Sequence, residues 1–213
     1  MLQYLDQHQS IGPNSRVAQR SDRPNGLNEN LAREVLELHT LGVDGPYTQQ
    51  DVRQLAELFT GLSFRLKTGF QFKANTAEPG PETVLGKEYG GNPAQLQSIH
   101  DVLRDLAVHP ATADHIARKL VVHFVSDMPD PELVHHVATR FRDTNGDLAQ
   151  VYAALLEHPA AWVPELRNVK PPLDFIASAC RALAVRPAHL ERTSPKNLST
   201  RLITPMILMG QRW

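Results

Sequence analysis

Apolar residues recur along most of the chain at the three-to-four spacing of a helix, broken by proline, glycine and aspartate at regular intervals. Asn28 is placed to cap a first helix that ends at Gly42, and Thr48 with Asp51 three residues on forms a capping box for a second that ends at Gly61. Proline at a first helical position then opens helices at Pro93, Pro110, Pro131 and Pro172, Asp147 opens another, and a last one spans Lys196 to Met209. The segment Ser63–Lys73 (SFRLKTGFQFK) departs from this pattern. Phe64, Leu66, Phe70 and Phe72 alternate with polar residues around Lys67-Thr68-Gly69, which predicts a hairpin, with Thr83–Leu85 as a short third strand. The expectation is a predominantly all-α, multi-helix orthogonal or bundle-like domain over 1–213. A small β-hairpin insertion is expected near residues 63–86, within a 62–91 loop.

The helical wheel assigns faces. In NENLAREVLELHTLG a step of about 100° per residue groups Leu31, Ala32, Val35, Leu36 and Leu38 on one arc, with His39 inside it. Glu29, Arg33, Glu34, Glu37 and Thr40 take the other side, where Glu29–Arg33 and Arg33–Glu37 are i,i+4 pairs suited to an exposed helix. His39 therefore points away from both Glu34 and Glu37, and this helix alone cannot bring the three to one metal. In the helix after Pro110, Ile116, Leu120 and Phe124 form the expected buried face, and His115, Lys119 and His123 a polar stripe. The two histidines of that stripe stand about 12 Å apart in rise, too far to share an ion. Trp162 is expected to be a packing anchor, as are Met206 and Met209 near Trp213.

Composition narrows the classes. Lys plus Arg (22) balances Asp plus Glu (23), and no basic stripe suggests a nucleic-acid partner. Cys180 is the only cysteine, so no internal disulfide or cysteine zinc site can form. No run approaches the roughly 20 apolar residues of a membrane span, and residues 1–20 lack the basic start and apolar run of a signal peptide. Asp143–Asp147 (DTNGD) fails as a calcium loop, since Leu148 and Ala154 fill the positions that require glycine and glutamate. VLRDLAVHPA (102–111) and VYAALLEHPA (151–160) echo each other. The simpler account is two helices ending before a His-Pro corner, and the other is a duplicated helical unit. No nucleophile elbow, P-loop or dinucleotide fingerprint occurs. No metal site is predicted, and the sequence leaves any cofactor unknown.

NEN-x-AREV-x-ELHTLGVDG followed by YTQ-x-DV resembles the signature of the bacterial domain of unknown function 1800. The likeness continues through TVLGKEY (83–89), HPATADHIARKLVVHFV (109–125), GDL (146–148) and the Lys170-Pro171-Pro172 stretch. Family members are longer on the N-terminal side and continue past Gly210-Gln211, so the chain resembles a C-terminal part of such a protein, truncated at both ends. Leu31 stands where members often carry an aromatic residue. The resemblance implies a predominantly helical protein, exported or periplasmic, acting beside a partner from the domain of unknown function 1501, a sulfatase-like group. It establishes no catalytic residue. The matching polar positions Asn28, Arg33, Glu34, Glu37, His39, Lys119 and Lys170 are the candidates.

Two functions follow as expectations. The first is a binding or assembly module acting with a partner protein, which calls for a large exposed apolar patch where the missing N-terminal half should sit. The second is a hydrolase or metal-dependent enzyme around the 28–45 helix, with Glu34 or Glu37 as base or ligand, Arg33 on an anionic group and His39 completing the site. Asn28, Lys119 and Lys170 are the binding candidates.

Overall fold

The structure is a computed structural model and describes residues 1–20, 26–165 and 169–211. Trp213 lies outside them. The elements run α1 (Asn30–Glu34), continued by a π turn at Val35–His39, then α2 (Gln49–Leu58), β1 (Leu62–Arg65), β2 (Gly69–Phe72), β3 (Gly80–Val84) and β4 (Lys87–Gly91). Next come α3 (Leu96–Ala107), α4 (Pro110–Phe124), α5 (Pro131–Asp143), α6 (Leu148–Glu157), α7 (Pro172–Ala182), α8 (Pro187–Glu191) and α9 (Pro195–Leu198). A second π turn at Ser199–Ile203 leads into α10 (Thr204–Leu208). The fold is mainly helical, as the periodicity predicts. Among the described residues no helix is long and apolar enough to cross a membrane.

Local chemistry explains the boundaries. Thr48 Oγ1 accepts from the Asp51 amide, and Asp51 Oδ2 accepts from the Thr48 amide, which completes the expected capping box. Asp147 caps α6, and Asn145 and Gly146, both at positive φ, turn the chain out of α5. The His-Pro echo proves to be a cap. His109 and His158 each accept, through Nδ1, the amide two residues on (3.1 and 3.3 Å), with proline at the first position of the next element. Pro205 cannot donate to the carbonyl four residues back. The π turn before it passes the bond to the i−5 partner, from the Thr204 amide to the Ser199 carbonyl.

Four expectations need correction. Thr83–Leu85 does not join the first hairpin. β1–β2 and β3–β4 are separate antiparallel hairpins, and β3 turns into β4 through Leu85-Gly86, with Val84 opposite Lys87. Both turn residues have positive φ (51° and 77°), the condition for a two-residue turn that matches strand twist. Leucine is rare there, and its amide is held by Asp51 Oδ1 at 2.7 Å. The third helix begins at Leu96 rather than Pro93, because Gln95 is still extended (φ −131°, ψ 142°). Trp162 is 69% exposed, its indole N–H donating to the Leu156 carbonyl. Met206 is buried as expected, while Met209 is not.

The buried side chains form two clusters. One joins α1, α2, β3, β4 and α3 through Leu36, Val52, Leu55, Phe59, Val84 and Ile99. The other joins α4, α5 and α6 through Ala117, Val121, Leu133, Val137, Phe141 and Val151. The C-terminal turn of α2 is buried on every side, Glu57 included, since it packs both on α1 and on β3.

Carboxylates are built into that first cluster. Glu57 accepts from Arg53 Nε (3.2 Å) and Gln54 Nε2 (2.7 Å). Glu78 accepts from the Asn14 amide and side chain and so pins the N-terminal segment. Glu82, 6% exposed, hydrogen-bonds Glu57 and Gln54. Burial, then the Glu57 charge and the hydrogen bond shared with it, push the Glu82 carboxyl up to about 8, Glu78 adding to the rise and Gln54 opposing it. The folded chain thus holds a proton that the unfolded chain, with its carboxyl near 4.5, releases. Stability therefore falls as pH rises between those two values and levels off above the higher. Thermal melts should show the melting temperature dropping between about pH 5 and about pH 8, and Glu82→Gln should flatten that slope and melt several degrees higher at the alkaline end. Parallel slopes for the two proteins would refute this assignment.

Candidate functional site

The candidate residues divide between two faces of the opening helix. On one face Arg33 pairs with Glu37 (3.1 Å) and Glu29 (3.5 Å), as the i,i+4 spacing predicts. Gln49 of α2 closes the network, accepting from Arg33 (2.9 Å) and donating to Glu29 (2.8 Å). Tyr47 joins from the same side. Burial first, then the Glu37 charge and a hydrogen bond to Glu37, raise its phenol above the ordinary value. Arg33, Glu34 and Glu37 line only a shallow dimple of about 140 Å³. The network ties α1 to α2, and as a partly exposed set of ion pairs it contributes a few tenths of a kcal/mol per pair.

His39 is elsewhere. The wheel places it with Leu38 on the buried arc, yet both are exposed. The π turn causes this. A wider turn adds about one residue, so Leu38 and His39 are rotated off the core before Thr40 and Leu41 return to it. Leu36 is fully buried, and Thr40 Oγ1 donates back to the Val35 carbonyl (2.7 Å). The Leu38 carbonyl, left outside a regular ladder, receives Lys119 Nζ (3.4 Å) and lies 3.3 Å from His115 Nε2. Two of the three residues of the expected polar stripe on α4 therefore hold the end of the π turn. The third, His123, lies 3.7 Å from Asp174 of α7.

Asn28 is a structural fastener. Its Nδ2 donates to the Leu5 carbonyl (2.8 Å), and its Oδ1 accepts from the Asn30 amide (2.9 Å), so it caps α1 while holding the N-terminal segment. Lys170 donates to Ser178 Oγ (3.1 Å) and lines a cavity of about 580 Å³ with Asp174, Arg181 and Glu165.

His39 and Lys119 share a larger groove of about 610 Å³. Its walls are Ile116, Leu120 and Phe124 of α4 and Leu148 and Tyr152 of α6, with Phe141 of α5 at the base. This overturns the expected face of α4. The stripe buried against α5 is Ala113, Ala117 and Val121, while Phe124 is 63% exposed. Small side chains admit the neighbouring helix, and the large ones are left to line the groove. The signal was present in the sequence, since α4 is apolar over two adjacent stripes, more than one neighbouring helix covers. The groove lies between the two clusters, with Thr40 after the π turn and Ala107 of α3 on the side of the first and Leu120 and Leu148 on the side of the second, and such junctions are frequent ligand sites.

Among the described residues no three His, Cys, Asp or Glu side chains come close enough to hold a metal ion. The arrangement presents an apolar concavity edged by Lys119 and His39, with no Asp or Glu among the described residues that line it.

Gly42 fixes how the π turn meets α4. It has φ +90°, and a Cβ there would stand 2.8 Å from His115 Nδ1. Gly42→Ala should cost about 1–2 kcal/mol from the left-handed backbone alone, and more as the imidazole shifts from the Leu38 carbonyl. Urea unfolding should record that loss, and His115→Ala should cost less in the Gly42→Ala background than alone. Additive effects would separate the two residues.

No curated protein and no solved structure matches this chain. The model of the family described as "Protein of unknown function (DUF1800)" matches residues 1–213, the whole chain. The sequence that carries the Arg33–Glu37 network, the π turn and the α4 groove thus belongs, over its full length, to the DUF1800 family.

Proposed function

We propose that this protein is a helical binding module that works in assembly with a partner protein. The observation that carries the reading is the C-terminal layer α7–α10. Among its described residues only Met206 is buried, while Phe175, Leu183, Ile207 and Leu208 are exposed, Leu208 to 83%. A monomeric surface seldom leaves so much large apolar side chain to water unless something covers it. The groove along α4 adds a second uncovered apolar surface.

The hydrolase reading has less support. Arg33, Glu34 and Glu37 face one cavity and His39 another, so the residues it requires do not converge on one concave site. By family resemblance the first partner to try is a member of the sulfatase-like group. Co-expressed with such a protein, the chain should co-elute with it in size-exclusion chromatography with light scattering. Phe175→Asp and Leu208→Asp should each weaken the complex about tenfold or more. Separate elution, together with unchanged binding of a hydrophobic dye by both variants, would count decisively against the reading.

A further inference from the structure

The geometry points to the α4–α6 groove as the seat of an amphipathic helix with acidic flanks, supplied by a partner, which would complete a four-helix bundle. This goes beyond the assembly reading, which rests on α7–α10, by assigning a second surface and the chemistry of what fills it.

The argument begins with helix order. α5 packs against both α4 and α6, and the short connections at 125–130 and 144–147 make sequential neighbours antiparallel. Three helices so arranged leave a trough between the outer two, where a fourth would lie in a bundle. Both walls carry their large apolar residues at helical spacing. Ile116, Leu120 and Phe124 recur every four residues on α4, and Leu148 and Tyr152 do so on α6. Ile116 to Phe124 spans about 12 Å of rise, the length of two to three turns of an incoming helix. Grooves of this kind read apolar anchors at i, i+3 or i+4, and i+7.

Charge decides the flanks. No Asp or Glu occurs among the described lining residues, and Lys119, exposed, stands on the edge with His39 beside it. Lys119 gives one N–H to the Leu38 carbonyl, and an ammonium group has three to give. His123, at the far edge, is already engaged with Asp174. A carboxylate on the incoming helix would meet Lys119, whereas a lysine there would meet like charge.

The test uses the full chain and two synthetic helical peptides of about four turns. Both carry leucines at i, i+4, i+7 and i+11, one with glutamates at the flanking positions and one with lysines. Calorimetry should show the glutamate peptide binding at least about tenfold more tightly, and methyl NMR should place it at Ile116 and Leu120. Leu120→Asp should abolish binding with the circular dichroism spectrum unchanged, and Lys119→Glu should shift the preference to the lysine peptide. Equal binding of the two peptides would overturn the proposal, as would binding indifferent to Leu120→Asp. Methyl shifts at Ile116 and Leu120 produced by laurate and by neither peptide would overturn it as well, assigning the groove to a small amphiphile. If the peptides fail while Leu208→Asp still disrupts the partner complex, the groove proposal falls and the assembly reading stands.

Discussion

The close contact of α4 with α5 is the constraint on which the second half of the molecule depends. Ala113 and Ala117 present only methyl groups to α5, and Val121 joins Leu133 and Val137 in the same buried cluster. Leucine at 117 would place its bulk where α5 runs, and overpacking of that kind is costly. Because the small stripe takes the inner position, Ile116, Leu120 and Phe124 are left on the outer side of the same helix. The groove is thus a by-product of how tightly two helices approach, rather than a feature with its own loop or insertion.

The first half is organised differently. There the C-terminal turn of α2 is enclosed, and polar residues of the helix do much of the joining. Asp51 serves its own helix terminus and the Leu85 turn together. Burial pushes its carboxyl up, but the hydrogen bonds from Thr48 and from the Leu85 amide outweigh this and hold it below the ordinary value. Thr60 donates to the Glu57 carbonyl and accepts from the Glu78 amide, linking α2 to the segment before β3. Buried polar groups joined in this way resist rearrangement, since losing one partner strands another.

These contrasts explain what was legible in the sequence. Caps were legible because a cap is local. Thr48 with Asp51, and Asp147 after Gly146, act within three residues. The i,i+4 ion pairs of Arg33 were legible for the same reason. The second hairpin was missed because Leu85 is a poor turn residue, and its conformation is held from outside by Asp51. The buried face of α4 is not legible from side-chain size, which favours Phe124, because α5 approaches closely only over the small residues. His39 was misplaced because a wheel assumes one pitch throughout, and the pitch changes at Val35. Of the candidate site, the Arg33–Glu37 pairing followed from spacing. The meeting of His39 with Lys119 across 80 positions of chain did not.

The π turn at Val35–His39 also bears on which changes this region can accept. It acts as a one-residue phase shift in the helix, separating a stretch that faces α2 from one that faces α4. Replacing a side chain within it alters the contacts of that side chain alone. Removing a residue would restore regular pitch and swing Leu38 and His39 back toward the interior, where the Leu38 carbonyl could no longer meet His115 and Lys119. The length of this segment is therefore as strict a requirement of the structure as its side chains are.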